Sequence, residues 1–173
     1  MKLSIRQATP KDIDPVADIL SEAARWLEES GMPMWCDDEL LPSHIAVEVQ
    51  SGLFFLAEYN GEPAGTIRFQ LEDKLFWPDV PQDDSAFIHR LAVRRRFAGG
   101  EVSSALLLWA IARTHELGRR YLRLDCEASR TRLRAVYKRI GFQFHSNRQV
   151  GPYFVARYEY NVTEISRGTK KPK

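Results

Sequence analysis

The stretch from Phe87 to Leu108, FIHRLAVRRRFAGGEVSSALLL, limits what this chain can fold into more than any other. Ile88 to Val93 is a short apolar run with His89 and Arg90 set into it, and it reads as a strand. Arg94, Arg95 and Arg96 end the run. Ala98-Gly99-Gly100 follows, a loop whose backbone is free to take positive φ or to approach a ligand closely. From Glu101 onward, Val102, Ala105, Leu106, Trp109 and Ala110 recur at helical spacing.

A helix N-terminus presents unpaired backbone N–H groups and the positive end of the macrodipole. Entered through small residues, it offers an anion site, so residues 98–104 read as a phosphate or pyrophosphate cradle. The alternative is a tight strand-to-helix turn that binds nothing, and this stretch alone supports both. Neither the nucleotide P-loop pattern nor G-x-G-x-x-G is present.

Around this centre the chain alternates strands and helices without regular βαβ repetition. Leu3 and Ile5 alternate with polar neighbours in a first strand. Thr9-Pro10-Lys11-Asp12 is a helix-start signal, and Ile13, Val16, Ala17, Leu20, Ala24 and Leu27 form one stripe. Pro15 conflicts with a start at Pro10, which predicts a start at Asp14 or a kink. Gly31 to Trp35 is a break, either a loop folded onto the core or a pocket wall. A second helix is predicted over Pro42 to Gln50 with Ile45 and Val49 inward.

Leu53–Tyr59 and Pro63–Leu71 read as strands joined by Asn60-Gly61, a two-residue hairpin signal. Lys74 to Ser85 is a long loop, either a solvated connection or a functional wall. Beyond the central helix, capped by Gly118, Tyr121 to Cys126 reads as a strand. A helix follows from Ser129 or Thr131 to Gly141, then strands at Phe142–Phe144 and Tyr153–Tyr160. One domain over residues 1–165 is expected, with a basic, disordered tail at 166–173.

Composition narrows the function classes. With 173 residues, 44% hydrophobic and 28% charged, the chain suits one globular core. A net charge of +2 and scattered arginines argue against nucleic acid as a partner. No apolar run approaches the ~20 residues of a membrane span, and the N-terminus lacks a secretory apolar segment. Cys36 and Cys126 form neither a disulfide framework nor a metal-ligand spacing, so both are expected to be reduced thiols in the cytosol, with no metal bound.

HRLAV, the basic linker, the small-residue loop and LLLWA resemble motif A of the GNAT N-acetyltransferases. LRLDCEASRTRLRAVYKRIGF resembles motif B, ending in Tyr137, Gly141 and Phe142. The resemblance runs from about Ile5 to Tyr160. It implies an α/β (α+β) fold: a mixed, mostly antiparallel sheet of about seven strands flanked by about four helices. It also implies acetyl-CoA as co-substrate, acetyl transfer to the primary amine of a small molecule by direct attack, and a homodimer.

By the same resemblance, the backbone of Leu91, Ala92 and Val93 bonds the pantetheine arm. Ala98, Gly99, Gly100, Glu101, Val102, Ser103 and Ser104 hold the pyrophosphate. Three departures stand out: the loop lacks the family's leading Arg or Gln, with Ala98 there instead, Glu101 replaces a glycine, and Arg130 stands where relatives often carry Asn. Arg130 either reaches the cofactor phosphates or faces water. Tyr137 falls where the family places the general acid for the leaving sulfur; its spacing alone fits a core tyrosine.

Some relatives carry a glutamate base where this chain has Phe87. His89 alternates in phase with Leu91 and Val93, and histidine is the residue type that exchanges a proton near neutrality, so it is the candidate base, or else a satisfied structural histidine. Trp35, Phe76, Trp77 and Asp125 are candidates for the acceptor side, and Asp79, Asp83 or Asp84 for attracting a cation. The rival reading is a non-catalytic coenzyme A-binding or interaction domain of the same fold.

Overall fold

The computed structural model describes residues 2–35 and 37–167. Seven strands form one mixed sheet in the order β1-β2-β3-β4-β5-β7-β6. They are β1 (Leu3–Gln7), β2 (Phe54–Tyr59), β3 (Glu62–Gln70), β4 (Ser85–Val93), β5 (Tyr121–Glu127), β6 (Gln143–Val150) and β7 (Tyr153–Asn161). Four α-helices accompany them among the described residues: α1 (Ile13–Glu29), α2 (Pro42–Gln50), α3 (Val102–Glu116) and α4 (Thr131–Ile140). The fold class is the one the sequence implied. The described chain divides into two compact units, one of residues up to Phe69 with Arg90–Trp109, the other of Gln70–His89 with the chain from Ala110 on.

In the first unit β1 pairs antiparallel with β2, and β2 with β3. The hairpin turns at Asn60 and Gly61, with φ of 51° and 82°. Two successive positive-φ residues match the right-handed strand twist, which is why Asn-Gly serves there. The conflict between Pro10 and Pro15 resolves into two elements. Pro10–Asp12 is a single 3-10 turn, and α1 starts at Ile13 with Pro15 in its first turn, where no intrahelical N–H bond is lost. Asp12 holds this start by accepting from the Thr9 N–H at 2.7 Å and pairing with Arg6 at 2.7 and 2.9 Å. The Arg6 bond outweighs desolvation and holds the Asp12 carboxyl well below the usual range. Val16, Ile19 and Leu20 of α1, Ile45 and Val49 of α2, and Phe54 and Leu56 of β2 make the core, with Trp35 packed against it. Of the Gly31–Trp35 break, Trp35 thus packs on the core, while Gly31, Met32 and Pro33 are exposed.

In the second unit the first half of β4 runs parallel to β5, Ser85–Ile88 against Tyr121–Leu124. β5 and β6 each pair antiparallel with β7. β6 extends to Val150, well past the predicted Phe144, because its exposed polar residues are held by β7 rather than by an apolar alternation of their own. Gly141 ends α4 at φ 121°, and a Cβ there would come within 2.9 Å of the Tyr160 ring. Val162–Arg167 forms a 3-10 helix, so Ser166 and Arg167 of the expected tail are helical; residues 168–173 of that tail, like Cys36, lie outside the described residues.

Candidate active site

The first unit carries the candidate cofactor cradle. β4 does not run smoothly into it: Arg90 takes φ of +50°, a left-handed conformation rare for a side chain with a Cβ. Its guanidinium donates to the Glu39 carbonyl at 3.1 Å, which helps hold that conformation. The Arg94 N–H donates to the Ala64 carbonyl on β3 at 2.8 Å. Leu91 to Val93, the three residues expected to meet pantetheine, lie between these two anchors. Gly65 on β3 explains how they fit. A Cβ there would lie 3.0 Å from the Ala92 carbonyl oxygen, 3.0 Å from Val102 and 3.2 Å from Leu106.

After the turn Arg95–Phe97, residues Ala98, Gly99, Gly100 and Glu101 are all exposed. Gly99 adopts φ of +75°, and a Cβ on it would meet no atom within 4 Å. The loop delivers the chain to α3, whose first residue Val102 is buried while Ser103 and Ser104 are half-buried. Glu101 accepts the Ala105 N–H through its backbone carbonyl at 2.9 Å. Small exposed residues before a 15-residue helix are what an anion cradle requires.

The second unit carries a polar cluster that sequence reasoning found only in part. His89 Nε2 lies 2.7 Å from Asp73 Oδ2. Asp73 is buried, in the loop that follows β3. Its other oxygen accepts the backbone N–H groups of Leu75 and Phe76 at 3.2 and 3.0 Å. Asp125, on β5, accepts from Trp77 Nε1 at 3.2 Å. His89, Asp73 and Asp125 each bring a side-chain N or O atom into one group, all within 4.8 Å.

Burial pushes both carboxyls up. In Asp73 the His89 bond and charge and the two N–H groups outweigh burial, so its pKa is lowered. In Asp125 burial wins, helped by repulsion from Asp73 and opposed by His89, Trp77 and Arg157, and its pKa is raised. One carboxylate is thus held ionised beside the imidazole, and the other takes a proton more readily. Asp73 escaped notice in the sequence because it sits in a loop, but Asp-Lys-Leu-Phe is a side-chain-to-backbone turn signal.

Tyr137 on α4 is buried, its ring against Phe142 and Tyr158. Desolvation, then Cys126 and Asp125, raise its pKa far above the usual phenol, so the hydroxyl keeps its proton at neutral pH. Burial likewise pushes the Cys126 thiol up to about 11. Arg130 precedes α4 as its half-buried N-cap residue.

Two expectations for the acceptor side need correcting. Trp77 is fully buried and presents no ring face to an acceptor. Its indole is held by Arg157 at 4.5 Å and Arg123 at 5.2 Å from the ring centroid, and it anchors the loop. Asp79 is not available to a cation, because Arg157 binds both its oxygens at 2.7 and 3.0 Å. Phe76 packs its ring 5.6 Å from His89, centroid to centroid.

A mixed sheet of seven strands with four helices among the described residues is the architecture of the GNAT fold. Residues 15–142 match the acetyltransferase (GNAT) family. The chain is 30% identical over 145 residues to the uncharacterized N-acetyltransferase YesJ of Bacillus subtilis, covering 79% of each chain. It superposes on a GNAT-family acetyltransferase from Listeria monocytogenes with a TM-score of 0.77, at 28% identity, over 92% of this chain and 94% of that one. It also shares the fold of yncA from Salmonella typhimurium, a putative acetyltransferase solved with acetyl-CoA, at TM-score 0.72 and 14% identity over 94% and 95% of the two chains. The chain belongs to the GNAT acetyltransferase family, and is by that membership an N-acetyltransferase.

Proposed function

We propose that this N-acetyltransferase moves the acetyl group of acetyl-CoA to the primary amine of a small molecule by direct attack. The observation that carries the reading is the exposed Ala98–Gly100 loop opening onto the first turn of α3. It offers a pyrophosphate the backbone of residues 98–104, though the Ala98 and Gly100 N–H groups already donate to the Arg95 and Phe97 carbonyls at 3.1 and 3.4 Å, so the donors come from Gly99 and the first turn of α3. Glu101 is exposed rather than packed into the loop. Leu91, Ala92 and Val93 hold the pantetheine arm through their backbone, and Arg130 serves the cofactor phosphates.

His89 accepts the proton that the amine sheds, directly or through water. The amine nitrogen bonds the thioester carbon as the carbon–sulfur bond breaks, and Tyr137 protonates the departing thiolate. The Tyr137 phenol is protonated at neutral pH, and burial makes it hold that proton more tightly. Asp125 and the half-buried Trp35 serve the acceptor. Homodimeric assembly, implied by the family resemblance, and a cytosolic location, read from the cysteine usage, belong to the same proposal; no described helix is long and apolar enough to cross a membrane.

The test is a thermal melt with and without acetyl-CoA, followed by release of free coenzyme A thiol across an amine panel. Ligand at 100 times its Kd adds about 2.7 kcal/mol, a rise of roughly 5–10 °C for a domain of this size. No shift would sink the cofactor reading. A second reading, a non-catalytic coenzyme A-binding protein, is favoured by Phe87, a fully buried ring where some relatives carry a glutamate base. A melt shift without thiol release on any amine would establish it.

A further inference from the structure

We infer that Asp73 is the positioning residue of this enzyme: it fixes the tautomer of His89 and answers the charge His89 gains when it takes the amine's proton. The inference rests on the reading of His89 as the base. Asp73 is unusually well held for a loop residue. It is buried, one oxygen accepts two backbone N–H groups, and its own N–H donates to Gln82 Oε1 at 2.7 Å. Gln82 in turn donates to the Trp77 carbonyl at 2.8 Å, which closes the loop on itself. The remaining oxygen, Oδ2, is therefore aimed by the backbone at His89 Nε2, 2.7 Å away.

An ionised carboxylate at that distance accepts a hydrogen bond, so Nε2 carries the hydrogen and the basic lone pair sits on Nδ1. When that lone pair takes a proton, the new positive charge lies against a carboxylate that is already ionised. A fixed negative partner raises the basicity of the imidazole without itself accepting the proton. Asp125 from β5, itself near Arg157 of β7, and the Phe76 ring also face His89. Asp125 has its pKa raised by burial, so Asp73 is the steadier counter-charge.

The test is Asp73→Asn. The amide keeps an oxygen for the Leu75 and Phe76 N–H groups and turns its NH2 toward His89, which would favour the opposite tautomer. Turnover should fall at least tenfold with the KM for acetyl-CoA within about twofold. The acid limb of the kcat–pH profile should move to lower pH by about one unit, since an opposite charge at this range shifts a pKa by 1–3. Asp73→Glu should restore part of the rate. An unmoved acid limb in a folded Asp73→Asn protein overturns the inference.

Nitrogen-15 NMR of the His89 ring in the wild-type protein decides the pairing without any turnover. Hydrogen on Nε2 supports it and hydrogen on Nδ1 overturns it, even if Asp73→Asn does not fold. A wild-type protein that acetylates no amine would sink the enzymatic reading instead, a result separable from the NMR.

Discussion

Trp77 Nε1 donates to Asp125 Oδ2 at 3.2 Å, joining residues 48 apart in sequence. The bond ties the loop after β3 to β5, and the same loop carries Asp73, beside His89. Arg157 and Arg123 grip the indole, so the ring is an anchor for the polar cluster rather than a surface for ligand.

Trp77→Phe should keep most of the packing and lose the donor. Leaving the desolvated Asp125 carboxylate short of a partner costs about 1–3 kcal/mol, or roughly 2–12 °C in Tm. A calorimetric melt checks this, and an unchanged Tm would mean that the bond contributes nothing net.

Asp125→Asn should stabilise the protein at neutral pH. The Asp125 pKa is raised in the folded state, so its contribution is fully present below the unfolded carboxyl range and is lost as pH rises through the folded value. The amide keeps an acceptor for Trp77 and removes the buried charge. Its advantage in Tm should therefore be greatest near pH 7 and shrink as pH falls towards about 4. Melts across that range check the sign; a constant difference would refute it.

Gly65→Ala should be disproportionately costly for one methyl group. The new Cβ would stand 3.0 Å from the Ala92 carbonyl oxygen, which is backbone and cannot swing aside. Overpacking of this kind costs about 1–3 kcal/mol. Because Ala92 lies in the pantetheine strand, the Kd for acetyl-CoA should also rise, as isothermal titration would register. Wild-type affinity would separate β3 packing from cofactor binding.

Tyr137→Phe should lower kcat by about 10²–10⁴-fold, the usual range for a lost general acid. The Tm rise with acetyl-CoA should stay as in the wild type. The ring is buried against Phe142 and Tyr158, so deleting only the hydroxyl should leave the helix in place. Unchanged turnover would remove Tyr137 from the chemistry.

Local rules carried much of this protein. Apolar alternation, Asn60-Gly61 and Pro42 marked β2, β3 and α2 because each acts within a few residues, and α2 lies over the predicted Pro42–Gln50. The small-residue loop before α3 was legible for the same reason: Gly99 takes the positive φ its lack of a Cβ permits. His89 was visible as a titratable residue in an apolar strand. What escaped was every property set by partners distant in sequence. Asp73 became a candidate only when its loop brought it to His89, 16 residues on. Trp77 and Asp79 read as ligand-facing until Arg157, 78 residues beyond Asp79, was found gripping both. β6 was missed past Phe144 because its strand state is imposed by pairing with β7. Composition and short-range pattern specify where chain elements begin and end. Which carboxylate is ionised, which is desolvated and which is already spent on an arginine depends on distances that only the folded chain sets.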